Sequence, residues 1–278
     1  FYRFLATGFM IIEELFTFNF FTLSFFCFIG AFIDSVAGGG GLISLPAYMA
    51  SGLPPHFALG TNKLSGFFSG LGSSLNYALS GKVNWKLIKK LVFFSFIGSY
   101  LGVNTILKTK PDYINYIVLT ALILVLIYTL IHKNMGDISE YKGLNKRNIT
   151  LGIFIAFGIG FYNGFLGPGT GSFLVFFLMK IFKYDFVEAN GDSKILNLIG
   201  NFTSIIIFLI NGKVYFLYGI PISFIMFLGA SLGSRFAILK GSKFIRPVFL
   251  FITFITIINM LKNTLLWLTN ITKCSTIY

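Results

Sequence analysis

Gly30–Lys63 reads GAFIDSVAGGGGLISLPAYMASGLPPHFALGTNK, and Gly160–Lys194 reads GFYNGFLGPGTGSFLVFFLMKIFKYDFVEANGDSK. The second stretch is a worn copy of the first. At an offset of 130, Gly30, Gly39 and Gly41 fall on Gly160, Gly169 and Gly171. After one inserted residue the offset becomes 131, and Ala58, Gly60 and Lys63 fall on Ala189, Gly191 and Lys194. Further along, Gly81-Lys82-Val83 matches Gly212-Lys213-Val214, and Gly98 and Gly102 match Gly229 and Gly233. A duplication that keeps its glycines and a lysine while its apolar filler drifts is keeping a backbone shape and a charge.

The filler sets the surroundings. The 278 residues are 55% hydrophobic and only 11% charged, with a mean hydropathy of +0.82. A soluble domain carries roughly a quarter of its residues as charges, so the outer surface of this chain faces a lipid bilayer. Apolar runs at 16–36, 57–79, 87–107, 113–131, 149–166, 186–210, 214–236 and 244–261 each approach or exceed the ~20 residues that cross the hydrocarbon core as helix. The expected fold is therefore all-α, a multi-pass membrane protein. The net charge of +13 does not indicate nucleic acid, because the basic residues sit in short loops and serve to orient the chain. Cys27 and Cys274 offer neither a disulfide framework nor metal spacing. His56 and His132 lie near span ends and read as interfacial. Glu13 and Glu14 precede the first run where a signal peptide would be basic, so a cleaved leader is not expected.

Each copy interrupts its apolar run. The glycines Gly38 to Gly41 precede a short segment, 42–50, closed by Ser51 to Pro55; Gly167-Pro168-Gly169-Thr170-Gly171 precedes another at 172–181. Nine residues of helix rise only ~14 Å, half a bilayer. Broken backbone at membrane depth is tolerated where protein or a water-filled cavity surrounds it, and paired breaks in two repeats mark a transport site. If each break returns the chain to the side it came from, each half has three full crossings plus a hairpin, and the halves face opposite ways. Lys82–Lys90, Lys133–Arg147, Lys180–Lys183 and Arg235–Arg246 then share one side. The other side holds only Arg3, Lys108, Lys110, Lys213, Lys262 and Lys273. That bias favours an inverted repeat with both termini outside. The expected divisions are an N-terminal repeat over 1–132, a polar cytoplasmic linker over 133–148 and a C-terminal repeat over 149–278.

Ionisable residues inside a span cost a few kcal/mol and call for a purpose. Lys63 follows Gly60-Thr61-Asn62, and Lys194 follows Gly191-Asp192-Ser193. A lone lysine can snorkel to the interface on its long stem; two at repeat-equivalent places, each among small polar residues, point to a site. Asp34, four residues before the glycine run, can pair with a lysine, carry a proton, bind a cation or cap the half-helix. Its repeat counterpart is Gly164, with Asn163 one position earlier. Glu188 reads as a cap at a helix start, and Asp192 reads equally as a cap or a functional carboxylate. The glycine runs allow positive φ and close approach of backbone amides to a ligand. Two half-helix N-termini converging near the lysines would make an anion site. The glycines can also serve helix packing, the reading given to Gly98, Gly102, Gly229 and Gly233.

The doubled motif resembles the sulfite exporter TauE/SafE family: DSVAGGGGLISLPAY and ALGTNK in the first copy, GFLGPGTGSF and EANGDSK in the second. The resemblance covers both repeats. It implies a plasma-membrane transporter of sulfite, sulfonates or related small anions. Many members carry an asparagine a few residues after the first lysine; here Ser65 and Gly66 stand there, while Asn197 matches Gly66 in the second half. The residues expected to bind the anion are Gly39, Gly40, Gly41, Thr61, Asn62, Lys63, Gly169, Thr170, Gly171, Ser193, Lys194 and Asn197, with Asp34 and Asp192 expected to couple a proton or ion. The expected activity is secondary transport by alternating access; an uncoupled anion channel would use the same positive ring. No paired histidines, Cys-x-x-Cys or Ser/His constellation supports an enzyme, no cofactor or metal is expected, and homo-oligomerisation stays open.

Overall fold

The computed structural model describes residues 18–110, 113, 120, 139–141 and 143–240. The expected spans at 113–131 (Tyr113 and Thr120 apart) and 244–261, residues 133–138 and 142 of the linker, His132 and Cys274 lie outside the described residues. Among the described residues eight helices follow one another: α1 Phe18–Ala37, α2 Gly41–Ala50, α3 Pro55–Leu79, α4 Trp85–Lys108, α5 Lys146–Phe165, α6 Thr170–Phe182, α7 Phe186–Ile210 and α8 Phe216–Lys240. No strand occurs among the described residues.

The duplication is visible in the boundaries. Helices α3 and α7 each have 25 residues and start and end 131 positions apart. The helix starts are written into the sequence. The Asn84 side chain accepts from Leu87 N at the head of α4, and that of Asn145 from Asn148 N at the head of α5. Asp185 and Glu188 close a capping box on α7, as Glu188 at that spacing leads one to expect. Pro55 opens α3, where its missing N–H is no loss, and Gly81 and Gly212 leave α3 and α7 at positive φ.

Among the described residues five helices are long and apolar enough to cross a membrane: α1 from Asn19, α4, α5, α7 and α8. Helix α3 has the length but not the hydropathy, because Gly60, Thr61, Asn62, Lys63, Ser65, Ser69, Ser73 and Ser74 stud it; all eight are buried. It is an interior helix rather than a lipid-facing one. Helices α2 and α6, at 10 and 13 residues, are the short apolar pieces, rising ~15 and ~20 Å.

Glycines set how the halves interlock. A side chain at Gly98 or Gly102 of α4 would run into the backbone of Phe157 or Phe161 on α5. One at Gly229 or Gly233 of α8 would run into Phe28 or Phe32 on α1. The fourth helix of each half therefore lies against the first helix of the other, at small-residue crossings that let backbones touch. Between α3 and α7, Gly60 abuts the Lys213 carbonyl just past the end of α7, Gly191 abuts the Lys82 carbonyl just past the end of α3, and Gly66 faces Asn201. These two repeat-equivalent helices run antiparallel.

Candidate functional site

The two breaks meet in the middle of the molecule. Gly38 and Gly39, at φ +80° and +93°, end α1, and Gly167 and Gly169, at φ +97° and +80°, separate α5 from α6. A Cβ on Gly38 would strike Ser172 N and lie 2.9 Å from Gly171 Cα; one on Gly41 would lie 3.0 Å from Pro168 Cα. Only glycine permits both the left-handed turn and this approach. The N-terminal ends of α2 and α6 are thereby brought side by side.

Each lysine crosses to the opposite half's break. Lys63, on α3, donates to the carbonyl of Asn163 and at 2.8 Å to its Oδ1, with Asn201 Oδ1 at 3.5 Å. Lys194, on α7, donates to the carbonyl of Asp34 and pairs with its Oδ2 at 2.8 Å. Both lysines are buried, at 3% and 1% exposure, so neither ammonium snorkels to the headgroups. Asp34 Oδ1 takes the Gly40 N–H at 3.0 Å, so one carboxylate both caps the break and holds the lysine. The arrangement is repeated with one chemical change: Asn163, one position before the formal counterpart of Asp34, offers Lys63 an amide where Lys194 meets a carboxylate.

A cavity of about 40 Å³ lies at this junction, lined by Asp34, Gly40, Gly41, Ser44, Asn62, Lys63, Gly66, Ser69, Asn163, Gly167, Asn197, Asn201 and Met226. That is room for more than one water-sized group. Of the residues expected at the site, Asp34, Gly40, Gly41, Asn62, Lys63 and Asn197 line it. Asn197 Oδ1 accepts from Asn163 Nδ2 at 3.0 Å. The Asn62 Oδ1 is buried without a hydrogen-bond partner. Gly39, Gly169 and Gly171 shape the breaks behind the cavity without lining it, and Lys194 lies behind Asp34.

Four expected residues spend their polar atoms on the backbone. Thr170 Oγ1 donates to the Gly167 carbonyl at 2.6 Å, closing its own turn. Ser193 Oγ donates to the Asn190 carbonyl at 2.9 Å. Thr61 Oγ1 accepts from Tyr215 N at 2.9 Å, and Asp192 Oδ1 from Asn84 N at 2.7 Å. The last two bonds are equivalent: one ties the start of α3 to the turn leading into α8, the other the start of α7 to the turn leading into α4. Asp192 goes further than Thr61. Its Oδ2 is buried without a partner, and the residue lines a second cavity of about 390 Å³, with Lys82, Lys86, Tyr141, Tyr184 and Glu188. Burial, and then the Asp192 carboxylate, push the Tyr184 phenol above its ordinary range; its hydroxyl accepts from Asn84 Nδ2 at 2.8 Å.

The lining residues outside the expected binding set are Ser44, Gly66, Ser69, Asn163, Gly167, Asn201 and Met226, of which Gly66, Asn163 and Gly167 stand in or beside the motifs the sequence singles out. Asn201 had a legible signal: 194, 197 and 201 share one helix face. Its repeat partner is Gly70, so matching the copies passes over it.

A family model described as Sulfite exporter TauE/SafE matches residues 23–260. The chain is 36% identical over 236 residues to the "Probable membrane transporter protein ORF9" of Sinorhizobium sp, covering 85% of this chain and 90% of that one. It is 32% identical over 240 residues to a "Probable membrane transporter protein" of Haemophilus influenzae, covering 86% and 93%. The "Probable membrane transporter protein YfcA" of Escherichia coli K12 is 30% identical over 231 residues, covering 83% and 85%. No solved structure matches.

Proposed function

This chain belongs to the sulfite exporter TauE/SafE family and is a multi-pass membrane transporter, and from that premise we propose that it is a secondary transporter carrying a small, sulfur-containing oxyanion across the plasma membrane by alternating access. The observation that carries the reading is the crossed pair of buried lysines, each engaging the opposite half's broken helix beside a polar cavity. A buried ammonium with no counter-charge is costly in a bilayer, and an anion in that cavity would compensate Lys63 while taking the Gly41 N–H at the head of α2.

The halves are proposed to be inverted repeats, 1–132 and 149–278, joined by a cytoplasmic linker at 133–148. The antiparallel course of α3 and α7, equivalent members of the two copies, supports that relation. Coupling is assigned to Asp34, whose protonation would release Lys194, and to Asp192, whose free oxygen meets the second cavity. The small volume at the junction favours a carrier that handles one ion per cycle over an open channel. Proteoliposomes loaded with labelled sulfite and sulfonates test the reading: Lys63→Ala with Lys194→Ala should abolish uptake and efflux. Transport undiminished in the double variant removes the site, and currents far above carrier turnover would establish a channel.

A further inference from the structure

We infer that the central site is built for an anion bearing a single negative charge, a sulfonate or hydrogensulfite rather than sulfate or the sulfite dianion, and that Asp34 sets this limit. The inference rests on the junction being the anion site, and it follows from counting charges there. Two equivalent lysines reach the junction, but only one meets a carboxylate. Lys194 is held by Asp34 Oδ2 at 2.8 Å and by the Asp34 carbonyl, is 1% exposed and is not among the lining residues. Its charge is cancelled before any ligand arrives. Lys63 meets the oxygens of Asn163 and Asn201, which orient the ammonium without neutralising it. Among the described residues no carboxylate stands within ion-pairing distance of it.

The rest of the lining is uncharged. Asn62, Asn197, Asn201, Ser44 and Ser69 can bond an oxyanion but cannot offset a second charge. Asn62 Oδ1 is buried without a partner; as an acceptor it would take the O–H of a singly protonated anion such as hydrogensulfite, not an anionic oxygen. With Asp34, Lys63 and Lys194 taken together, the junction carries one net positive charge. A monoanion leaves it neutral. A dianion leaves an uncompensated negative charge in a water-poor interior, where isolated charge is strongly disfavoured. Asp34 also stands in the cavity wall and would face that second charge directly.

The test uses the purified full chain and two tetrahedral sulfur anions of similar size, methanesulfonate and sulfate, their affinities read by ligand-dependent thermal shift and by competition with a labelled sulfonate. Wild type should bind methanesulfonate at least about tenfold more tightly than sulfate, a difference of roughly 1.4 kcal/mol. Asp34→Asn keeps the acceptor for the Gly40 N–H while freeing Lys194, and should move that ratio at least about tenfold toward sulfate. Asn163→Asp, which leaves Asp34 in place, puts a carboxylate on Lys63 and should cost methanesulfonate binding about tenfold or more. That variant keeps the inference open to refutation should Asp34→Asn not fold. Sulfate bound as tightly as methanesulfonate by wild type, an unchanged ratio in Asp34→Asn, or undiminished methanesulfonate binding in Asn163→Asp would overturn it. If instead neither anion binds, or binding survives Lys63→Ala, the junction is not the anion site and the proposed function falls with it. Binding that depends on Lys63 but ignores Asp34 sinks the charge limit alone.

Discussion

Lys63 and Lys194 occupy equivalent places in the two copies and answer to different physics. Removing the Lys194 side chain strands the Asp34 carboxylate, only 18% exposed, and breaking a buried pair from one side costs roughly 3–5 kcal/mol. Lys194→Ala should therefore lower the thermal midpoint of the purified protein strongly, and Asp34→Asn added to it should recover much of the loss. Two losses that simply add would show the pair to be uncoupled. Lys63→Ala leaves only neutral amides behind, so its stability effect should be small while anion affinity falls about a hundredfold or more. Asp192 invites a different substitution. Thr61 makes the equivalent backbone bond without a charge, so Asp192→Thr should fold with stability within about 1 kcal/mol of wild type. If Asp192 couples transport, anion-driven proton movement in liposomes should disappear in that variant while anion exchange persists. Proton movement intact in Asp192→Thr returns the residue to a capping role. The repeat makes the two lysines legible from sequence, because matched positions rise above the apolar background, and Asp34 stands out as a lone charge inside an apolar run. It hides Asn163, which lies one position out of register, and it cannot separate a threonine or serine that bonds its own backbone from one that faces a cavity.

At the level of elements, the decisive feature is a helix that stops, turns through glycine and restarts, at 38–40 and again at 166–169. The sequence shows both stops, since four successive glycines and Gly-Pro-Gly-Thr-Gly interrupt runs that otherwise would have continued. Convergence of the two breaks near the lysines is expected from the repeat, but the backbone contact of Gly38 with Gly171 and Ser172 is not, because the close approach of segments 130 residues apart depends on how α1, α5, α3 and α7 cross. Gly38 tests that contact. At φ +80°, with Ser172 N and Gly171 against the space a Cβ would need, Gly38→Ala must either strain the turn or push the breaks apart. Gly52 has φ +91° and open space around it, so Gly52→Ala carries the left-handed strain alone, roughly 1–2 kcal/mol. Gly38→Ala should destabilise the protein distinctly more than Gly52→Ala in thermal denaturation and should abolish anion transport, whereas Gly52→Ala should leave transport in place. Equal effects of the two would mean that the breaks do not depend on close contact.

Across the whole molecule, the halves exchange helices: α4 packs on α5 and α8 on α1, while α3 and α7 lie antiparallel at the centre. Neither half keeps its buried lysine to itself, so a rocking motion of one half against the other would change the surroundings of both ammonium groups together. That is what alternating access requires of a site on a repeat interface. Two residues report whether the halves are inverted. Ser80 and Asn211 are the exposed C-cap residues of α3 and α7 and stand 131 positions apart. In an inverted repeat they emerge on opposite faces of the membrane, and the bias of the lysine- and arginine-rich loops predicts the cytoplasmic one for Ser80. In a background with Cys27 and Cys274 replaced, Asn211→Cys should react with an impermeant maleimide added to intact cells, and Ser80→Cys only after the membrane is opened. Labelling of both from the same side would make the repeats parallel. The crossed lysines would then need a different explanation from a shared gate that opens alternately to each face.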